Sequence, residues 1–141
     1  MRLYTCSCCD NTLYFENNSC LQCNHLTGFS YEKMSLVSLE ERGTNLVECG
    51  TKDKVYKYCA NYGYGVCNWV LTENNSYSEF CPACSVNRTI PNLNTEINSS
   101  RWRKIEIAKH RLIYSFLRLK LPFNTPGHTL IFDFKEETDG E

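Results

Sequence analysis

Four cysteines near the start of the chain constrain it more than any other feature. Cys6-x2-Cys9 and Cys20-x2-Cys23 are separated by ten residues. A C-x2-C turn aims two sulfurs at one point, and two such turns on neighbouring hairpins complete a tetrahedral set of four thiolates. The residues after the two turns, Asp10 and Asn24, are the non-glycine types that best tolerate a left-handed backbone. That conformation lets main-chain N–H groups face the sulfurs. A second quartet follows, Cys59-x7-Cys67 and then Cys81-x2-Cys84 after thirteen residues. Gly63 and Gly65 make the longer gap foldable, and Pro82 pre-sets the last turn.

Ten cysteines occur among 141 residues, so two remain. Cys8 lies between two proposed ligands at the wrong span for the turn, and is read as a free thiol or a substitute ligand. Cys49 has no partner by spacing, and its default is a buried or free thiol. The opening residues carry no basic-then-apolar secretion signal, and no apolar run reaches the roughly 20 residues of a membrane helix. The expected location is therefore cytoplasmic, with no membrane partner. In a reducing compartment, clustered cysteines more often hold metal than form disulfides. Two Zn²⁺ per chain are expected, on Cys6, Cys9, Cys20 and Cys23 and on Cys59, Cys67, Cys81 and Cys84; iron in a rubredoxin-like site shares the pattern. Four protein ligands leave no position for a reactive water, so both sites read as structural. His25, two residues beyond Cys23, reads as a polar loop histidine or a replacement for a cysteine ligand; His110 and His128 lack ligand-spaced neighbours, and H-E-x-x-H does not occur. The chain reads as a non-enzyme.

The organisation follows from these clusters. Residues 1–30 form a first ribbon, 31–54 a connector with a short strand or helical turn at Ser35–Leu39, and 55–98 a second metal module. Residues 99–141 supply a helix, a strand at Thr129–Phe134 and an acidic tail. Further strands are expected at Val55–Tyr58 and Asn68–Thr72. The fold class is small α+β, metal-stabilised, with short β-hairpins, one amphipathic helix and a strand. Trp102, Ile105, Ala108, Leu112, Phe116 and Leu119 recur at helical spacing and predict one packed face over 99–120. Asn98, Ser99 or Ser100 caps the helix, and Pro122 ends it. The net charge of −1 divides into −3 for residues 1–98, +6 for 99–120 and −4 for 121–141. Nucleic-acid binding would therefore fall to Arg101, Arg103, Lys104, Lys109 and Arg111.

These motifs resemble the N-terminal zinc-ribbon region of bacterial zinc-binding metallopeptidases. The resemblance runs through both quartets, Leu13-Tyr14-Phe15-Glu16-Asn17, Gly28-Phe29, Tyr58-Cys59-Ala60-Asn61-Tyr62 and Gly65-Val66-Cys67-Asn68-Trp69. It continues through Asn87-Arg88-Thr89-Ile90-Pro91, Arg101-Trp102-Arg103, Ala108-Lys109, Leu117-Arg118-Leu119, Leu121-Pro122 and Phe132-Asp133-Phe134. The family has glycine where this chain has Asp10 and Asn24. Its members continue to an H-E-x-x-H helix and a peptidase-like domain, which this sequence does not contain. Three functions follow as expectations. The first is a structural zinc module for protein interaction or substrate recognition. The second is the front of a zinc metallopeptidase lacking its catalytic part, with an exposed apolar face where residues 99–134 begin an incomplete domain. The third is a nucleic-acid-binding ribbon using the basic helix.

Overall fold

The computed structural model describes residues 2–51 and 54–136. Two short strands, β1 (Tyr4–Thr5) and β2 (Thr12–Leu13), pair antiparallel with Tyr4 opposite Leu13. The first cysteine turn lies between them. The next five strands are β3 (Leu26–Ser30), β4 (Ser35–Arg42), β5 (Asn45–Glu48), β6 (Val55–Tyr58) and β7 (Trp69–Leu71), and they close into a barrel. Successive strands are antiparallel, and β3 closes on β7 in parallel, with Phe29 opposite Trp69.

The barrel revises the reading of residues 31–54. Half of that stretch forms β4 and β5 rather than a connector. Strand side chains alternate between faces, and both faces of β4 are covered. Val37 and Leu39 join Tyr56 and Val70 inside the barrel. Leu36 faces the aromatic core, and the Ser38 hydroxyl donates to the Cys6 thiol. A strand buried on both faces shows no clean alternation of polar and apolar residues, which is why this segment was hard to recognise. The strands expected at Val55–Tyr58 and within Asn68–Thr72 form as β6 and β7.

After the barrel come α1 (Pro82–Ser85), β8 (Asn87–Thr89) and α2 (Glu96–Leu119). The short strands β9 (Asn124–Thr125), β10 (His128–Thr129) and β11 (Phe132–Asp133) follow, and β11 pairs parallel to β8. The strand expected at Thr129–Phe134 is thus divided between two pairings. Residues 137–141 of the acidic tail lie outside the described residues. α2 begins earlier than expected, with Thr95 rather than Asn98, Ser99 or Ser100 at its cap. It ends at Lys120, whose φ of 55° turns the chain before Pro122.

The core is aromatic and shared between parts of the chain that are distant in sequence. Phe15 lies against Phe29 at 4.9 Å and Tyr114 at 5.4 Å, and Phe29 meets Trp69 at 4.7 Å. Edge-to-face and tilted contacts of this kind add to the area buried. They join the first ribbon, the barrel and α2 in one cluster, which also includes six of the eight quartet cysteines with the other two packed against it.

The orientation of α2 differs from the expected one. Its buried face consists of Trp102, Glu106, Lys109, His110, Ile113 and Tyr114. Of the six residues expected to pack together, Trp102 does so and Phe116 is half-buried. Ile105, Ala108, Leu112 and Leu119 face solvent. Hydrophobic periodicity selects the wrong face because half of the buried face, Glu106, Lys109 and His110, is charged or polar.

Gly28 tests the barrel closure. A Cβ there would lie 2.3 Å from Val70 Cγ1 and 3.0 Å from the Asn68 carbonyl. Gly28→Ala is expected to destabilise the chain by about 1–3 kcal/mol, the usual cost of overpacking. Thermal unfolding should show a midpoint several degrees lower, and an unchanged midpoint would contradict the tight β3–β7 seam.

Candidate metal centres

The two turns of the first quartet are structural copies. Asp10 N donates to the Cys6 carbonyl and Asn24 N to the Cys20 carbonyl, both at 2.9 Å. Cys6 N reaches the Asn11 carbonyl at 2.8 Å, and Cys20 N reaches that of His25 at 2.9 Å. Asp10 and Asn24 have φ of 63° and 61°, the left-handed conformation that their residue types suggested. Cys6, Cys9, Cys20 and Cys23 thereby converge, with all four sulfurs within 4.8 Å of one another. Cys6 and Cys23 sulfurs are 3.7 Å apart, and Cys9 and Cys20 are 3.6 Å apart. Four thiolates around a zinc ion, at a Zn–S length of about 2.3 Å, would be about 3.8 Å apart. The cluster therefore fits a tetrahedral dication.

Its proton chemistry agrees. The Cys23 backbone N–H, with further donors, lowers the Cys20 pKa to about 6. The Asn11 backbone N–H also favours the Cys9 thiolate, but burial and hydrogen bonds shared with Cys23, Cys20 and Cys6 outweigh it and push Cys9 up to about 12. Crowded thiols share protons and resist full ionisation, and a bound cation removes that resistance.

Cys59, Cys67, Cys81 and Cys84 form the second cluster, all four buried and within the same mutual distance of 4.8 Å. Cys59 follows β6, Cys67 precedes β7, and Cys81 caps α1. A short 3-10 helix, Ala60–Tyr64, spans the gap between the first two, and Gly65 ends it at φ 72°. Cys67 and Cys81 sulfurs are 3.7 Å apart. Backbone N–H groups of Cys81, Cys84 and Trp69 donate to the sulfurs of Cys59, Cys81 and Cys67 at 3.3–3.4 Å. Burial holds Cys67 and Cys81 well above the ordinary thiol range, whereas hydrogen bonds from Cys59, Cys67 and Cys81 hold Cys84 well below it.

The spacing-based reading missed what α2 brings to this centre. His110 Nε2 lies 3.3 Å from the Cys67 sulfur and 3.8 Å from that of Cys84. Its Nδ1 donates to the Glu106 carbonyl at 2.6 Å, one helical turn back. Burial works against the imidazolium, but hydrogen bonds to Cys84 and Glu106 prevail and raise the His110 pKa to about 9. Glu106, fully buried, accepts from Trp102 Nε1 at 2.9 Å, Lys109 Nζ at 2.8 Å and Asn87 Nδ2 at 2.6 Å. Burial opposes ionisation of Glu106, but His110 and Lys109 hold its pKa below the usual range. The buried face of α2 is thus a charge network that ends on the sulfurs of the second centre. The spacing i, i+3, i+4 of Glu106, Lys109 and His110 is the sequence signal that marks this face.

Two other expectations are corrected. Cys8 and Cys49 are not free thiols but are joined as a disulfide. They are 41 residues apart in sequence, and the barrel brings them together, so local spacing carried no sign of the bond. His25 is not an isolated loop histidine, because its Nδ1 lies 3.3 Å from the Cys23 sulfur. The basic surface is also smaller than the charge count implied. Lys109 is buried against Glu106, and Arg111 pairs with Glu16 at 2.6 Å. Arg101, Arg103 and Lys104 remain exposed. Among the described residues, no helix is long and apolar enough to cross a membrane.

Two closed sets of four thiols, each held by short backbone turns, define a metal-binding ribbon protein. Comparison with known families agrees: residues 3–95 match the model of a zinc-ribbon domain, and the chain belongs to that family. It is 30% identical over 136 residues to an uncharacterized protein of Mycobacterium bovis and to uncharacterized proteins of two Mycobacterium tuberculosis strains. Each alignment covers 94% of this chain and 36% of the relative, so the chain spans about a third of the length of the curated relatives it matches. No solved structure matches significantly.

The His110 link yields a prediction. His110→Ala removes the imidazole from between the Glu106 carbonyl and the sulfurs of Cys67 and Cys84, and removing one partner of a buried charged network costs about 3–5 kcal/mol. The variant should still bind metal through its four cysteines. Hydrogen exchange should accelerate across residues 102–114 more than across the barrel strands. Uniform exchange along the chain would mean that His110 does not anchor α2.

Proposed function

We propose that the chain is a structural zinc-binding module that presents α2 to a protein partner. Zinc is favoured by the all-thiolate tetrahedral donor sets and by the zinc-ribbon family. A non-catalytic role is favoured because four cysteines fill each coordination sphere and leave no place for an activated water. A reducing, cytoplasmic setting suits eight thiols kept available for metal.

The outer face of α2 carries the interaction reading. Ile105, Leu112 and Leu119 are 51%, 43% and 65% exposed. With exposed Ala108 and Ser115 they form a stripe with alternating steps of three and four, the seam of a coiled-coil helix. Exposed Lys104, Arg111 and Arg118 run alongside it. The occupant we assign is an amphipathic helical segment with acidic flanks. A second copy of this chain would bring the same basic rows face to face, which disfavours self-pairing. In the finer form of this reading, the segment belongs to the portion of the longer relatives outside the match, and that portion is the peptidase-like domain implied by the resemblance to zinc metallopeptidases.

The test is a double substitution, Ile105→Glu with Leu112→Glu. Surface changes of this kind should alter stability by no more than about 0.5 kcal/mol each. The probe is the purified portion of the Mycobacterium bovis relative outside the match. Calorimetry should detect binding to the native chain and none to the double variant. Equal binding by both, or no binding by either, would overturn the docking role, as would a stable dimer of the native chain lost in the variant.

A further inference from the structure

We propose that Cys8 and Cys49 form a reversible redox-modification site that controls how tightly the first metal centre holds its ion. This proposal rests on the metal reading above. The location of the pair is the first argument. Cys8 stands between the ligands Cys6 and Cys9, inside the first turn, while Cys49 directly follows β5. The bond therefore ties a ligand-bearing turn to the barrel wall. Apart from it, the link from that turn to the barrel includes the Ser38 hydroxyl on Cys6 at 3.2 Å. The turn itself hangs from the two-residue strands β1 and β2. Ser38 serves both sides, because its carbonyl also accepts from Cys49 N at 2.9 Å. With the bond closed, the turn cannot swing away from Cys20 and Cys23 without moving the barrel strand.

Selectivity is the second argument. Eight of the ten cysteines belong to the metal clusters. Metal-bound thiolates are held by their ion, so an oxidant meets Cys8 and Cys49 as the remaining pair. Cys8 is half-buried rather than enclosed, within reach of a small disulfide. In a reducing compartment, disulfides are usually transient and redox-sensing rather than permanent.

The chemistry is thiol–disulfide exchange with a small-molecule disulfide as oxidant. The Cys8 thiolate attacks one sulfur of that disulfide, breaking its S–S bond and expelling one small thiolate. The Cys49 thiolate then attacks the Cys8 sulfur of the mixed disulfide and expels the second. The pair loses two electrons to the oxidant, and the two thiol protons end on the two small thiols released. An excess of small thiol reverses both steps.

The test uses the full metal-loaded chain after treatment with oxidised glutathione or with a phosphine reductant that is then removed. Zinc release to a chromophoric chelator is followed in time. Isotope-coded alkylation reports which cysteines become free as each ion leaves. Oxidation should crosslink Cys8 to Cys49 alone and slow release from the first centre roughly tenfold, within the range a crosslink closing such a loop can contribute. The second centre should release at one rate in both states. Cys49→Ser and Cys8→Ser should each release at the reduced rate whatever the treatment, and two variants guard against misfolding of one. Equal first-centre rates in both states would overturn the proposal. So would full alkylation of Cys8 and Cys49 after oxidation, or a third zinc ion on the reduced pair with His25. Zinc content measured before treatment separates the two readings: fewer than two ions at the outset fails the metal reading, whereas two ions with unchanged rates fails the redox site.

Discussion

Four thiols packed within 4.8 Å of one another resist losing all their protons unless a cation joins them. That constraint governs the rest of the molecule. The backbone around each cluster is arranged to favour thiolate, with N–H groups aimed at sulfur and left-handed turns at Asp10 and Asn24. Even so, burial and hydrogen bonds shared among the thiols push Cys9 in the first set, and Cys67 and Cys81 in the second, above the ordinary thiol range. A dication held by each set of four would take the place of those protons and offset the repulsion between thiolates, so that metal binding would contribute folding free energy.

The second centre shows how far this reaches. Glu106, Lys109 and His110 are nearly or fully buried on α2, an expensive place for charges without partners. Their partners form a chain: Asn87 on β8, Trp102 one turn away, and finally the sulfurs of Cys67 and Cys84. Trp69 packs against His110 at 5.4 Å and against Phe29 in the barrel. The helix is therefore seated by the second cysteine cluster on one side and the aromatic cluster on the other. This seating frees the Ile105–Leu112–Leu119 stripe to face solvent.

How much of this was legible in the sequence depended on the range of the interaction. The first quartet, the left-handed positions after it, the Cys81–Cys84 turn and the long helix are set by neighbours within a few residues, and spacing revealed them. The barrel was hidden because β4 is buried on both faces and because its closing pair, Phe29 and Trp69, is joined only in three dimensions. The Cys8–Cys49 bond was hidden for the same reason. The inward face of α2 was misread for a different reason. Periodicity weighs apolar residues, whereas a metal centre recruits polar ones, and nothing local distinguishes a histidine facing sulfur from one facing water.

Metal binding, added to apolar burial, is what we propose holds these elements together. The most direct measurement combines metal content with the near-ultraviolet circular dichroism of the cluster formed by Phe15, Phe29, Trp69 and Tyr114. The account predicts two zinc ions per chain and loss of the aromatic signal as a chelator removes them, with recovery when zinc is returned. An aromatic signal that survives removal of both ions would contradict it.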